Sequence, residues 1–231
     1  MGTHIQWETS EFEELITNRE TLYNLLARLY RIEVDETLLK QLAEMGFPTD
    51  CREPELAEGY RMLTEWLRNS GNDPLTDLAV DYARIFLGAG VYEGVAASPY
   101  ESVYTSADRL IMQEARDQTL AAFRAKGLQC SEQLEIPEDH IALELEFLAH
   151  LCRETLQAGD DRTRASKLLR EQKDFLEQHP GKWISMFCAD IEKCASTDFY
   201  RAVSKITLGF LNMEREILGD LLGDELGSDI L

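Results

Sequence analysis

In every long segment of this chain the apolar residues recur at steps of three and four, and nowhere do they alternate. Phe12, Leu15, Ile16, Leu22, Tyr23, Leu26, Leu29 and Tyr30 set the pattern near the start, and Ala202, Val203, Ile206, Phe210, Met213 and Ile217 repeat it near the end. A period near 3.6 puts one stripe of side chains on one helix face, whereas a half-buried strand needs a period of two. No window joins alternation to β-branched residues. The expectation is an all-α fold of about nine helices with almost no sheet.

Residue types that start or stop helices mark the breaks. Ser10-Glu11-Phe12-Glu13 reads as a capping box opening a long first helix, or two joined near Thr17-Asn18. Asp35 caps a short helix through Leu38, Leu39 and Leu42, closed by Gly46 and Pro48. Pro54 and the pair Asp73-Pro74 open two more, because proline at a first helical position loses no hydrogen bond. The second carries Leu78, Tyr82, Ile85 and Phe86 to a stop at Gly88, and small residues from there to Pro99 predict a loop lying close to something else. A helix is expected from about Ser106 to Lys126, then a bridge without period over 128–136.

Pro137, with Glu138 and Asp139 behind it, opens the next helix, on which Ile141, Leu145, Leu148 and Cys152 share a buried face. Glu144 and Glu146 should point away from that face, and Asp139 and His140 should sit at the helix mouth. A helix to Gln178, one from Trp183 to Cys194 and one from about Asp198 complete the chain, and residues 219–231 should fray. The chain reads as a single domain over 1–231, with 128–136 as the candidate hinge.

Charge and composition exclude several function classes. Twenty-three basic against forty-three acidic residues give a formal charge of −20, which repels a phosphate backbone and attracts a basic peptide. Nucleic acid is not an expected partner. No stretch approaches the roughly 18 apolar residues of a membrane span, and Met1 to Ser10 lacks the basic and apolar regions of a secretory signal, so the expected location is cytoplasmic. Five cysteines without a C-x-x-C pair suit a reducing compartment rather than disulfides or structural zinc.

The chemistry-bearing residues are few. His140 and Glu144 lie one helical turn apart, as do Glu146 and His150, but neither a paired Glu-x-x-His di-iron pattern nor His-Glu-x-x-His is present. No metal or cofactor is expected. A phosphate-cradling loop is missing too, since Gly88, Gly90 and Gly94 have the wrong spacing and follow a helix. Ser98-Pro99-Tyr100-Glu101-Ser102-Val103-Tyr104 instead sets two tyrosines beside a carboxylate and hydroxyls, the chemistry of a peptide-binding surface.

Tyr82-x-x-x-Phe86-Leu87-Gly88, then Pro99-Tyr100-Glu101-Ser102-Val103-Tyr104, then Pro137-x-Asp139-His140 with Glu144-x-x-Phe147-Leu148 resemble, in this order, the TorD/DmsD family of molybdoenzyme maturation chaperones. Leu22-Tyr23-x-Leu25-Leu26-Ala27-x-Leu29-Tyr30 is similar to that family's first helix, and the resemblance runs roughly from Leu22 to Phe210. It implies an all-helical, non-enzymatic cytoplasmic protein. Its partner would be the precursor of a molybdopterin oxidoreductase, bound through a twin-arginine leader, its catalytic subunit or both, and held until the cofactor is in place. Carried over by residue, the implied peptide site is Tyr82, Phe86, Gly88, Ser98, Pro99, Tyr100, Glu101, Pro137, Asp139 and His140, with Asp139 and Glu101 accepting hydrogen bonds from arginine. Relatives serving non-exported nitrate reductases bind their client without such a leader. A monomer or a domain-swapped dimer is implied. Two other readings stand beside this one: a metal-dependent helical enzyme built on His140 and Glu144 with Glu101, and an acidic adaptor without leader specificity.

Overall fold

The structure, a computed structural model, describes residues 9–48, 50–88, 96–129 and 136–223. Ten helices occur among them: α1 (Thr9–Arg31), α2 (Glu36–Glu44), α3 (Pro54–Asn69), α4 (Pro74–Phe86), α5 (Glu101–Thr105), α6 (Glu114–Ala125), α7 (Ile141–Gln157), α8 (Arg162–Gln178), α9 (Pro180–Cys194) and α10 (Asp198–Leu222). Among the described residues there is no strand, and one isolated antiparallel bridge joins Tyr100 to His140. The all-α expectation holds, and none of these helices is long and apolar enough to cross a membrane.

Local chemistry explains most starts. The Asp35 carboxylate accepts from the Leu38 amide at 2.8 Å, Glu53 caps α3 ahead of Pro54, and Asp73 caps α4 ahead of Pro74. α1 runs unbroken through Thr17-Asn18. α7 packs along α1, and α3 packs along α10. The second pair crosses at Gly59, where an added Cβ would sit 2.7 Å from the Ile206 backbone nitrogen. Only glycine lets the backbones approach so closely. Between α1, α8 and α10 the Arg19 guanidinium is buried against Glu214 and Gln172, with Nη2 at 2.7 and 2.8 Å from their side-chain oxygens, and the Tyr23 hydroxyl donates to Glu214 at 2.6 Å.

Five expectations are corrected. The helix expected from Ser106 begins at Glu114, because Arg109 (φ 52°) and Met112 (φ 61°) take left-handed backbone that an α-helix cannot contain. A separate short helix, α5, precedes that irregular segment. The helix expected to open at Pro137 begins at Ile141, where the His140 ring Nδ1 accepts the Ala142 amide at 3.0 Å and so replaces proline as the helix start. Glu144, expected to face away from the core, is fully buried. α9 also starts three residues before Trp183, at Pro180. Helix α10 continues to Leu222, past the start of the expected fray; the rest of that segment, 224–231, and most of the expected hinge, 130–135, lie outside the described residues.

Candidate functional site

The site is assembled where the strip 96–101, which runs from the loop after α4 into the first residue of α5, meets the turn before α7. The Ala97 amide donates to the Ile85 carbonyl at 2.9 Å, which ties the strip to α4. The Ile141 amide donates to the Pro99 carbonyl at 2.9 Å, and the Glu101 amide to the Asp139 carbonyl at 3.0 Å. The Tyr100 and His140 rings meet edge to face, centroids 5.1 Å apart. These contacts bring Ser98 to Glu101 against Pro137 to His140, two of the segments named by the family resemblance, though α7 starts later than Pro137.

The strip leaves a cavity of about 470 Å³ walled by Phe86, Gly88, Ser98, Pro99, Tyr100 and Arg109. Five of the ten expected site residues line it. Of the other five, Tyr82 faces the core and donates its hydroxyl to the Tyr30 carbonyl at 2.9 Å. Pro137 is half-buried in the turn. Glu101, Asp139 and His140 are buried behind the strip.

Each of these three buried groups has a structural duty. Asp139 Oδ2 accepts the Ser102 amide at 2.9 Å, so a carboxylate from the α7 turn caps α5, whose own N-cap residue makes no side-chain bond. Burial, reinforced by Glu101, raises its pKa. His140 accepts through Nδ1, which puts its proton on Nε2, and burial followed by Arg31 lowers its pKa to about 3. It is a neutral cap at physiological pH.

Glu101 turns inward to meet residues the sequence reading did not place here. Its Oε2 lies 2.9 Å from His179 Nδ1, and the same ring nitrogen is 3.3 Å from the Thr119 hydroxyl. One ligand atom each from Glu101, Glu144 and His179 lie within 4.8 Å of one another, all buried, so this set rather than one built on His140 could in principle hold a cation. Trp183 Nε1 donates to Glu144 Oε2 at 3.2 Å, while Glu144 Oε1 meets no donor. Burial, then the neighbouring Glu101 carboxylate, holds the Glu144 pKa well above the carboxylate range. Spacing along α7 could not reveal this, because the neutralising neighbours come from α5 and the α8–α9 junction.

The surface beside the cavity was also missed. Leu110, Ile111 and Met112 are 59%, 48% and 54% exposed, and Leu87 at the end of α4 and Met186 on α9 are exposed as well. Arg109 lines both the first cavity and a second of about 470 Å³ that includes Tyr104, Met186 and Asp190. Three adjacent large apolar residues cannot share one helix face, which was the available sign that 110–112 leaves the helix.

An all-α fold with an aromatic-walled surface cavity at a helix–loop junction defines the class. A family model described as nitrate reductase delta subunit matches residues 51–189. Chaperone protein TorD of Shewanella pealeana is 26% identical, covering 93% of this chain and 96% of that one; TorD of Vibrio cholerae El Tor is 30% identical, covering 93% and 90%. A solved archaeal structure from Archaeoglobus fulgidus superposes with a TM-score of 0.45 at 20% identity over 87% of this chain and 93% of that one, too loosely to carry an argument. The chain belongs to the TorD family of redox-enzyme maturation chaperones. The relatives' naming as chaperones sets aside the metal-dependent enzyme reading.

Proposed function

We propose that the chain binds the leader, the apo catalytic subunit or both of a molybdopterin oxidoreductase precursor and holds it in the cytoplasm until the cofactor is inserted. The observation that carries this reading is the juxtaposition of the Phe86–Tyr100 cavity with the exposed run Leu110–Met112 across Arg109. An exposed apolar run of this size beside a cavity is the mark of an interaction surface, and methionine adapts to varied partners. The apolar part of a leader fits that surface, and the formal charge of −20 draws in its basic end. Asp139 and Glu101 then act by shaping the strip rather than by pairing with arginine, unless the strip opens. The ten residues of the expected site divide accordingly into a wall and a support.

Affinity capture of the tagged protein from anaerobically grown cells, with mass spectrometry of the eluate, tests the client class. A leader-bearing precursor is expected; recovery of a leaderless catalytic subunit alone would move the site away from leader recognition. With the captured client's leader peptide, the variant Leu110→Ser/Ile111→Ser/Met112→Ser should bind at least about tenfold more weakly, since the lost apolar burial is worth more than about 1.4 kcal/mol. Unchanged affinity in a folded variant would remove these residues from the site.

A further inference from the structure

The Glu101–Glu144–His179 cluster does more than fill the interior. Two carboxyl groups whose oxygens lie within 4.8 Å of each other inside the protein strongly disfavour carrying charge together. Glu144 has one oxygen satisfied by Trp183 and the other facing no donor, an arrangement made whole when Glu144 itself carries a proton and donates to Glu101. Glu101, in turn, is held by His179 at 2.9 Å. The consequence reaches the surface, because Glu101 is the last residue of the strip and its amide is bonded to the Asp139 carbonyl.

We propose that Glu144, as the neutral acid, shares a buried proton with Glu101, and that this proton is the clasp holding the strip 98–101 against the turn 137–140. When Glu144 gives that proton to water, two adjacent carboxylates repel, Glu101 is displaced and the strip is released. For the client, the clasp sets how readily the docking strip opens, and this part rests on the reading of the strip given above.

The groups facing Glu144 come from every element around it: Glu101 on α5, Asp139 in the turn, His179 at the α8–α9 junction and Trp183 on α9. α1, packed along α7, sends Arg31 to Glu146 and Arg19 to Glu214, so neither arginine pairs with Glu144 or Glu101. His179 also lines a cavity of about 840 Å³ bordered by α6 and α8, which gives solvent a path toward the cluster. Burial and the charge of Glu101 both favour the protonated Glu144.

Hydrogen exchange of the unliganded protein tests the clasp directly. In the wild type, the opening constant for amides of Ser102 and Ile141, corrected for intrinsic exchange chemistry, should rise with pH above the ordinary carboxylate range, by at most about tenfold per pH unit, because the open state releases one proton. Glu144→Gln keeps the donor and cannot ionise, so its opening constant should be flat. Equal slopes in the two proteins would overturn the proposal. A measurement on the wild type alone guards against a poorly folded variant: its infrared spectrum at pH 7 should show the carbonyl stretch of a buried protonated carboxyl, and its absence would also overturn the proposal. Titration with Zn²⁺ alone is the third arm. Stoichiometric binding that Glu144→Gln abolishes would mean that a cation, not a proton, balances the cluster. If exchange behaves as expected while leader affinity ignores both pH and the substitution, the clasp stands and the leader reading of the strip falls.

Discussion

Two buried polar clusters, one between α1, α8 and α10 and the other between α5, α7 and α9, solve the problem of interior charge in different ways. Around Arg19 opposite charges meet: its guanidinium makes three hydrogen bonds to Glu214 and one to Gln172, and Tyr23 adds a fourth bond to Glu214. Burial is the largest influence on Arg19 and opposes its charge, yet Glu214, together with Cys152 and Tyr23, more than offsets it and raises the pKa. Around Glu144 two carboxyl groups meet beside His179, and burial, then the neighbouring Glu101, favours the protonated form of Glu144. The first cluster is a permanent joint between α1, α8 and α10. The second is a joint that pH can undo, and it lies behind the candidate peptide site.

The largest effect separating the two comes from breaking the permanent joint. Arg19→Met leaves Glu214 buried without its cation, and chemical denaturation at pH 7 should show a loss of about 3–5 kcal/mol. A loss under about 1 kcal/mol would mean that water or a relaxed Glu214 takes over the role of Arg19.

The second cluster predicts a slope rather than a loss. The folded-state pKa of Glu144 lies above its ordinary 4.5, so above that pH the native state holds a proton the unfolded chain has released. Stability therefore falls as pH rises, by at most about 1.4 kcal/mol per pH unit for one proton. His140 acts in the opposite sense: its pKa drops from 6.5 to about 3, so its contribution to stability is lost as pH falls below 6.5. The two slopes oppose each other between about 4.5 and 6.5. Above 6.5 Glu144 acts without that opposition, and Glu144→Gln should flatten the decline there; Asp139, raised in the same sense, remains in both proteins. Parallel wild-type and variant curves above 6.5 would leave Glu144 without an energetic role.

This contrast also explains what could be read from the chain alone. Helix starts at Asp35, Pro54 and Pro74 depend on bonds a few residues away, so local pattern reveals them. Segment 106–113 contains good helix formers, yet the Gln113 amide bonds the Ser102 hydroxyl at 3.1 Å and the backbone turns left-handed at Arg109 and Met112. That is a tertiary choice overriding propensity. Glu144 read as solvent-facing because a glutamate in a helix usually is, and only contacts with Glu101 and Trp183, distant in sequence, reverse that. The candidate site was legible as a set of segments that meet. Which of its side chains face a partner and which support the strip depends on burial, which the spacing did not encode.

A third charge pair, partly buried at the surface, completes the comparison and carries the smallest prediction. Arg116 on α6 bonds Glu138 in the turn before α7, with its Nε 2.5 Å and its Nη2 3.1 Å from the two carboxylate oxygens. It reaches the same turn that Glu101 and Asp139 hold from inside. Water competes for both partners at the surface, so Arg116→Ala should cost about 0.5 kcal/mol or less, and added salt should erase the difference. A salt-insensitive loss above about 1.5 kcal/mol would show that the turn is held from outside as firmly as from within. In that case release of the buried proton could not by itself free the strip, because Glu138 would keep the turn pinned to α6 after the clasp had opened.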